Sequence, residues 1–196
     1  MNTLENEPLF YCGVELHKAK ILKVQDALRT FELDGVIFLK HDAVRYVTSF
    51  YTKGYRPFLE FDYAAVVPTG DDAVLGFTLG GEERRAAIRS RVHDIRKLPI
   101  FSQWGEGLSK ILIDYNLTKG RVGFDLLPHF IYDSIREKFP QLELVDIRSI
   151  WANLTAIKHP LEIELLEHAL KIAQVGVSEA INVLEPGKSE IEVSAA

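Results

Sequence analysis

Ala64-Ala65-Val66-Val67-Pro68-Thr69-Gly70-Asp71-Asp72-Ala73-Val74-Leu75-Gly76-Phe77-Thr78-Leu79 decides the fold class. The apolar run Ala64 to Val67 is short enough for a strand covered on both faces. Thr69-Gly70-Asp71-Asp72 supplies turn chemistry, because glycine tolerates a left-handed backbone and aspartate bonds its own main chain. Ala73 to Leu79 then returns as a second strand, so the stretch predicts a hairpin. Upstream, Val36 to Leu39 is another continuous apolar run of strand length, and one antiparallel pair therefore sits in a larger sheet.

Working outward, Leu16 to Phe31 reads as an amphipathic helix with Ala19, Leu22, Leu28 and Phe31 on or near one face, and Asp34-Gly35 turns the chain after it. Gly80-Gly81 opens a charged helix to about Arg91, followed by a strand near Lys97 to Phe101 and a helix from Leu108 to Asn116 that Gly120 closes. Arg121 to Asp125 is strand-like and Pro128 to Phe139 helical. Leu142 to Ile147 is a last strand, in which apolar residues alternate with Glu143 and Asp146. Alternating helices and strands predict an α/β domain over residues 1–153, with a mixed, mostly covered sheet and flanking helices.

Beyond that domain, Leu166, Ala169, Ala173, Gly176, Ala180 and Leu184 recur at helical spacing from Pro160 to Leu184. Pro160 suits the first helical position, and Glu162 and Glu164 suit the positive end of the dipole. Pro186-Gly187 ends this helix, and Ser189 with Glu192 has the spacing of a capping box for another. About one turn of that last helix is present, too little to stand alone. Residues 154–196 are therefore expected to be a linker and the first helices of a second domain.

The 196 residues are 47% hydrophobic and carry a formal net charge of −5, the profile of an ordinary globular chain. Lys and Arg are scattered, so there is no electrostatic footprint for nucleic acid. A single cysteine, Cys12, excludes an internal disulfide framework and a cysteine-built zinc site, and points to a reducing, cytoplasmic setting. No apolar run reaches the roughly 18 residues of a membrane helix, and no signal-peptide pattern is present. The sequons at Asn116 and Asn153 are chance matches in such a chain.

Local catalytic sets are missing from the sequence. His17, His41, His93, His129, His159 and His168 lie far apart and form no helical zinc-protease pattern. His17 and His168 are expected on helix surfaces. Gly105-Glu106-Gly107 with Lys110 lacks the third glycine and the ribose-binding acid of a dinucleotide loop, and reads as a turn entering a helix. Asp71 and Asp72 read as turn residues bonding their own backbone rather than as a metal pair. Between Phe50 and Tyr63, the aromatics Tyr51, Tyr55, Phe58 and Phe61 cluster around Lys53, Gly54, Arg56 and Pro57. Two readings stand for this stretch: a loop folded back over its own core, or a surface for a partner subunit or substrate, since Tyr and Arg are common interface anchors.

Three segments resemble the N-terminal domain and linker of the creatinase/prolidase family, which includes Xaa-Pro dipeptidase, aminopeptidase P and creatinase. Ile157-Lys158-His159-Pro160-Leu161-Glu162-Ile163-Glu164-Leu165 resembles the family's junction before a helix, and Pro186-Gly187-Lys188-Ser189-Glu190 resembles the turn after it. His41 to Phe50 resembles a segment that usually reads Asn-x-x-Tyr-x-x-Gly, with Asp42 in place of the Asn and Ser49 in place of the Gly.

The resemblance implies a creatinase N-terminal-domain-like layered fold, followed in the parent protein by a pita-bread catalytic domain. There two Asp, one His and two Glu bind a divalent metal pair, manganese, cobalt or zinc, and none of those ligands is expected in these 196 residues. It implies no catalytic or metal-ligating residue and no cofactor in this chain, which is expected to be inert alone. A homodimer through the N-domain and a short proline-containing peptide substrate are also implied, with Tyr55, Arg56 and Phe58 as the residues contacting substrate or partner subunit. Arg56 would pair with a substrate carboxylate, and an aromatic would pack on a proline ring. Two further readings remain open: a creatinase-like amidinohydrolase, and a non-catalytic protein-binding relative.

Overall fold

The computed structural model describes residues 13–50, 62–77 and 82–195. The described residues up to Ile157 form one compact unit, and those from Lys158 onward belong to another.

The first unit is built on a six-stranded sheet: β1 (Gly35–Phe38), β2 (Tyr63–Pro68), β3 (Val74–Phe77), β4 (Asp94–Lys97), β5 (Gly120–Phe124) and β6 (Leu142–Asp146), in the order β4-β3-β2-β1-β5-β6. The hairpin forms as the sequence predicts, with Val66 opposite Val74 and Tyr63 opposite Phe77. Its turn carries Gly70 at φ +93°. β1 also pairs antiparallel with β2, Ile37 facing Val66. The remaining pairs, β1–β5, β3–β4 and β5–β6, are parallel, so β2 alone runs against the other five strands.

Every residue of β1, β2 and β3 is buried, which is why these runs show no polar alternation. Successive side chains leave opposite faces of the sheet. Val36, Phe38, Ala65, Val67, Leu75 and Phe77 therefore pack with Val24, Leu28, Val44, Val47 and Trp151, which come from α1 (Val14–Thr30), α2 (His41–Thr48) and α6 (Arg148–Ala156); Ala86 of α3 (Glu82–Arg89) joins them. Ile37, Leu39, Ala64, Val66 and Val74 face the other layer, against Leu108, Ile111 and Leu112 of α4 (Trp104–Asp114) and Ile131 and Ile135 of α5 (His129–Lys138). Two helical layers cover one mixed sheet, the expected fold class.

Several sequence expectations shift. The buried side of α1 is Leu16, Ile21, Val24 and Leu28, whereas Leu22 and Phe31 are exposed, because the sheet-facing row runs one residue away from Leu22. β4 precedes the expected Lys97–Phe101 strand: Pro99 has no N–H for a ladder, and Phe101–Gln103 forms a 3-10 turn into α4. Gly105 and Gly107 lie within α4, not in a turn before it. An added side-chain carbon at Gly105 would sit 2.5 Å from Ser134 Cβ, so glycine is what lets α4 and α5 approach.

In the second unit, α7 (Pro160–Val183) begins with Pro160 at its first turn. His159 caps it, its Nδ1 accepting from Leu161 N (3.2 Å) while its own N–H donates to Glu162 Oε2 (2.9 Å). Leu166, Leu170, Val175, Ile181 and Leu184 are exposed. α8 (Glu190–Ser194) has the predicted capping box, Glu192 Oε2 accepting from Ser189 N at 2.8 Å.

Candidate functional site

The expected contact residues Tyr55, Arg56 and Phe58 lie outside the described residues. What is described is the base from which their stretch departs and to which it returns. α2 ends on Ser49 in the left-handed conformation, φ 58°. The departing Phe50 is buried, and its N–H donates to Thr48 Oγ1 at 3.1 Å. The returning Tyr63 opens β2, and its ring meets that of Phe50 at 5.2 Å and the His41 ring edge-on at 5.6 Å. Thr48 in turn bonds backward to Val44 O at 2.7 Å. Both ends of the aromatic stretch are thus fixed to the β1–β2 core by ring packing and a side-chain hydrogen bond.

Beside this base, α1 contributes a side chain the sequence reading misplaced. His17 is not on the helix surface: it is 5% exposed, with Nδ1 3.3 Å from Ser49 Oγ and Nε2 3.6 Å from Asp72 Oδ1. Asp71 and Asp72 do bond their own turn, Asp72 N donating to Asp71 Oδ1 and Ala73 N to Asp72 Oδ1, both at 2.8 Å. Gln25 of α1 also donates to Asp71 O. Burial pushes the Asp72 carboxyl up, but His17, the Ala73 N–H and the positive potential of His93 outweigh it and hold the group below its ordinary value.

A second buried carboxylate lies at the carboxyl ends of the adjacent parallel strands β1 and β5. Asp125, 1% exposed, accepts from Leu39 N (2.9 Å) and Leu126 N (2.6 Å) through Oδ1 and from Lys40 N (3.1 Å) through Oδ2. Burial raises this carboxyl above its usual range despite the three amides. Through these three amides Asp125 joins the loop entering α2 to the loop entering α5.

No three His, Cys, Asp or Glu side chains converge into a metal-holding group among the described residues. The described side chains therefore do not fit the ligand set of a metal pair, and no chemical step is assigned to them. No helix among them is long and apolar enough to cross a membrane.

The layered fold, with one reversed strand and a helix leading into a second unit, has known counterparts. Residues 20–156 match the family model of the creatinase/prolidase N-terminal domain. The chain belongs to this family. Among curated proteins it is 28% identical over 187 residues to the uncharacterized hydrolase/peptidase y4tL of Sinorhizobium fredii, covering 84% of this chain and 44% of that one. The prolidase of Pyrococcus furiosus superposes with a TM-score of 0.62 at 25% identity, over 89% of this chain and 50% of that one. The X-Pro aminopeptidase of Thermotoga maritima does so with a TM-score of 0.72 at 14% identity, over 89% and 46%. The chain thus spans about half the length of these relatives.

Proposed function

We propose that this chain is the N-terminal, substrate-shaping and dimer-contacting domain of a metal-dependent Xaa-Pro dipeptidase or aminopeptidase, acting in the cytoplasm on short proline-containing peptides. The observation that carries the reading is the family match over residues 20–156, joined to likeness with an X-Pro aminopeptidase and a prolidase about twice as long. In this reading residues 154–196 lead into the catalytic domain, whose apolar surface takes up the exposed side of α7. A divalent metal pair in that domain would activate a water and polarise the scissile carbonyl.

The part played by this chain is recognition. Phe50 and Tyr63 anchor the aromatic stretch at its two ends, and Arg56 within it offers a planar cation suited to a substrate carboxylate. Tyr55 and Phe58 offer faces for a proline ring or for the other subunit of a homodimer.

The test compares this 196-residue chain with the protein extended through its catalytic domain, each given an Xaa-Pro dipeptide and manganese, cobalt or zinc. Only the extended protein is expected to hydrolyse it. There Arg56→Ala raises KM by about 10- to 100-fold, the scale of a lost charged hydrogen bond, and leaves the thermal midpoint in place. Efficient cleavage by the 196 residues alone, or unaltered kinetics for Arg56→Ala, would overturn the reading.

A further inference from the structure

His17 is a polar ring on the face where α1 buries Leu16, Ile21, Val24 and Leu28. A leucine would fill the position without the cost of desolvating an imidazole. Both ring nitrogens instead meet segments that come to α1 only through the fold. The Asp72 carboxylate, 3.6 Å from Nε2, favours the tautomer with its proton on that nitrogen. Nδ1 then accepts from the Ser49 hydroxyl at 3.3 Å. His17 thus ties the end of α2 to the β2–β3 turn.

Ser49 is where that tie acts. It ends α2 in the left-handed conformation, φ 58° and ψ 8°, which costs a residue with a side chain about 1–2 kcal/mol. Its neighbours are held by other bonds: the Thr48 carbonyl accepts from Arg91 N at 2.9 Å, and the Thr48 hydroxyl accepts from Phe50 N at 3.1 Å. The Ser49 side chain adds a bond to α1, and the dihedrals it helps to fix set the direction in which the chain leaves α2. We propose that His17 and Ser49 are positioning residues for peptide recognition: the buried imidazole holds the left-handed turn from which the stretch carrying Arg56 departs, and so sets how tightly the substrate binds. The inference rests on the peptidase reading, in which Arg56 meets the substrate carboxylate. Asp72 acts one step further back, by fixing the tautomer and orientation of the ring. These residues act through Arg56 rather than on the reacting bond, so their loss raises KM and leaves kcat in place.

The protein extended through its catalytic domain, given an Xaa-Pro dipeptide and manganese, carries the test. Ser49→Gly takes the left-handed conformation without strain but lacks the hydroxyl. His17→Leu fills the buried position but offers no acceptor. Each is expected to raise KM about 3- to 10-fold, the scale of one lost hydrogen bond, with kcat and the thermal midpoint in place. A purely structural His17 predicts the reverse, an unaltered KM with a shifted midpoint. His17→Asn, whose side-chain oxygen takes the place of Nδ1, restores much of the affinity lost in His17→Leu. In a double-mutant cycle, Ser49→Gly adds nothing to the KM of Arg56→Ala, because both act through the same contact. Circular dichroism checks each fold, and Ser49→Gly carries the test if His17→Leu does not fold. A KM for Ser49→Gly within about twofold of wild type, where Arg56→Ala raises it, refutes the positioning role and leaves the peptidase reading standing. An equal rise from Ser49→Gly with and without Arg56 refutes it as well. Unaltered kinetics in Arg56→Ala overturns the reading itself, and this inference with it.

Discussion

Replacing Asp125 by alanine probes the connection on which the carboxyl edge of the sheet depends. Three amide donors, Leu39 N, Lys40 N and Leu126 N, lose their acceptor at once. Leu39 is fully buried, so its N–H bears the full penalty of about 1–3 kcal/mol. Lys40 is exposed and Leu126 only half-buried, so water replaces part of what they lose. Against this, the variant no longer holds a carboxylate in a site whose burial raises it. The net expectation is a loss of about 2–3 kcal/mol, or some 5–10 °C in melting temperature for a chain of this size. Asp125→Asn tests the geometry more finely. Its amide oxygen still serves Leu39 and Leu126, but its NH2 meets the Lys40 N–H, so it falls between wild type and alanine. The pH dependence has a definite sign. A carboxyl raised in the folded state contributes stability that is present below its unfolded value and lost as pH rises through its folded one. The advantage of wild type over Asp125→Asn therefore shrinks from acid toward neutral pH. Urea unfolding at several pH values measures all of this. An alanine variant within 0.5 kcal/mol of wild type at pH 7, about the scatter expected of an ordinary surface substitution, would show that the two loops hold together without this carboxylate.

Gly105→Ala gains helix propensity but drives a methyl group into Ser134, 2.5 Å from its Cβ, and a net loss of about 1–3 kcal/mol is expected; a melting temperature equal to wild type would mean α4 and α5 part freely. At Ser49, φ 58° is costly for a branched side chain, so Ser49→Val unfolds at lower urea than Ser49→Gly by about 1–2 kcal/mol, and equal midpoints would remove the left-handed assignment. The Arg96 hydrogen bonds to Asp94, opposed by burial and aided by Tyr115, hold the Asp94 carboxyl below its usual value. That contribution is present above the unfolded value of 3.8 and lost as pH falls through the folded one, so Arg96→Met flattens the acid limb of the stability curve below about pH 4. A variant limb as steep as wild type would assign acid sensitivity elsewhere.

The sheet was legible because its central strands are covered on both faces: Val36 to Leu39 and Ala64 to Val67 admit no polar alternation, and the turn at Gly70 fixes the hairpin between β2 and β3. The second antiparallel contact, β1 with β2, was not legible, because the chain between them says nothing of the direction in which β2 returns. Boundaries failed where a local signal competed with packing. Glycine at 105 and 107 reads as a helix breaker, yet serves close approach to Ser134 on one side and to Leu98 and Pro99 on the other.

The site was less legible than the fold, and His17 shows why. On a helical wheel it falls with Ile21, Val24 and Leu28, the face that α1 buries, but the stripe read through Leu22 and Phe31 hid that, and its partners come from far along the chain, the Ser49 turn and the Asp71-Asp72 turn. Asp125 is similar: alone it is the polar end of a strand, and its meaning appears when Leu39 and Lys40 arrive from 85 or more residues away. Periodicity reports the face a residue shares with its own element. What meets that face from elsewhere is a property of topology, so a polar side chain on a helix edge is assigned to solvent or to a site only once the crossing elements are known.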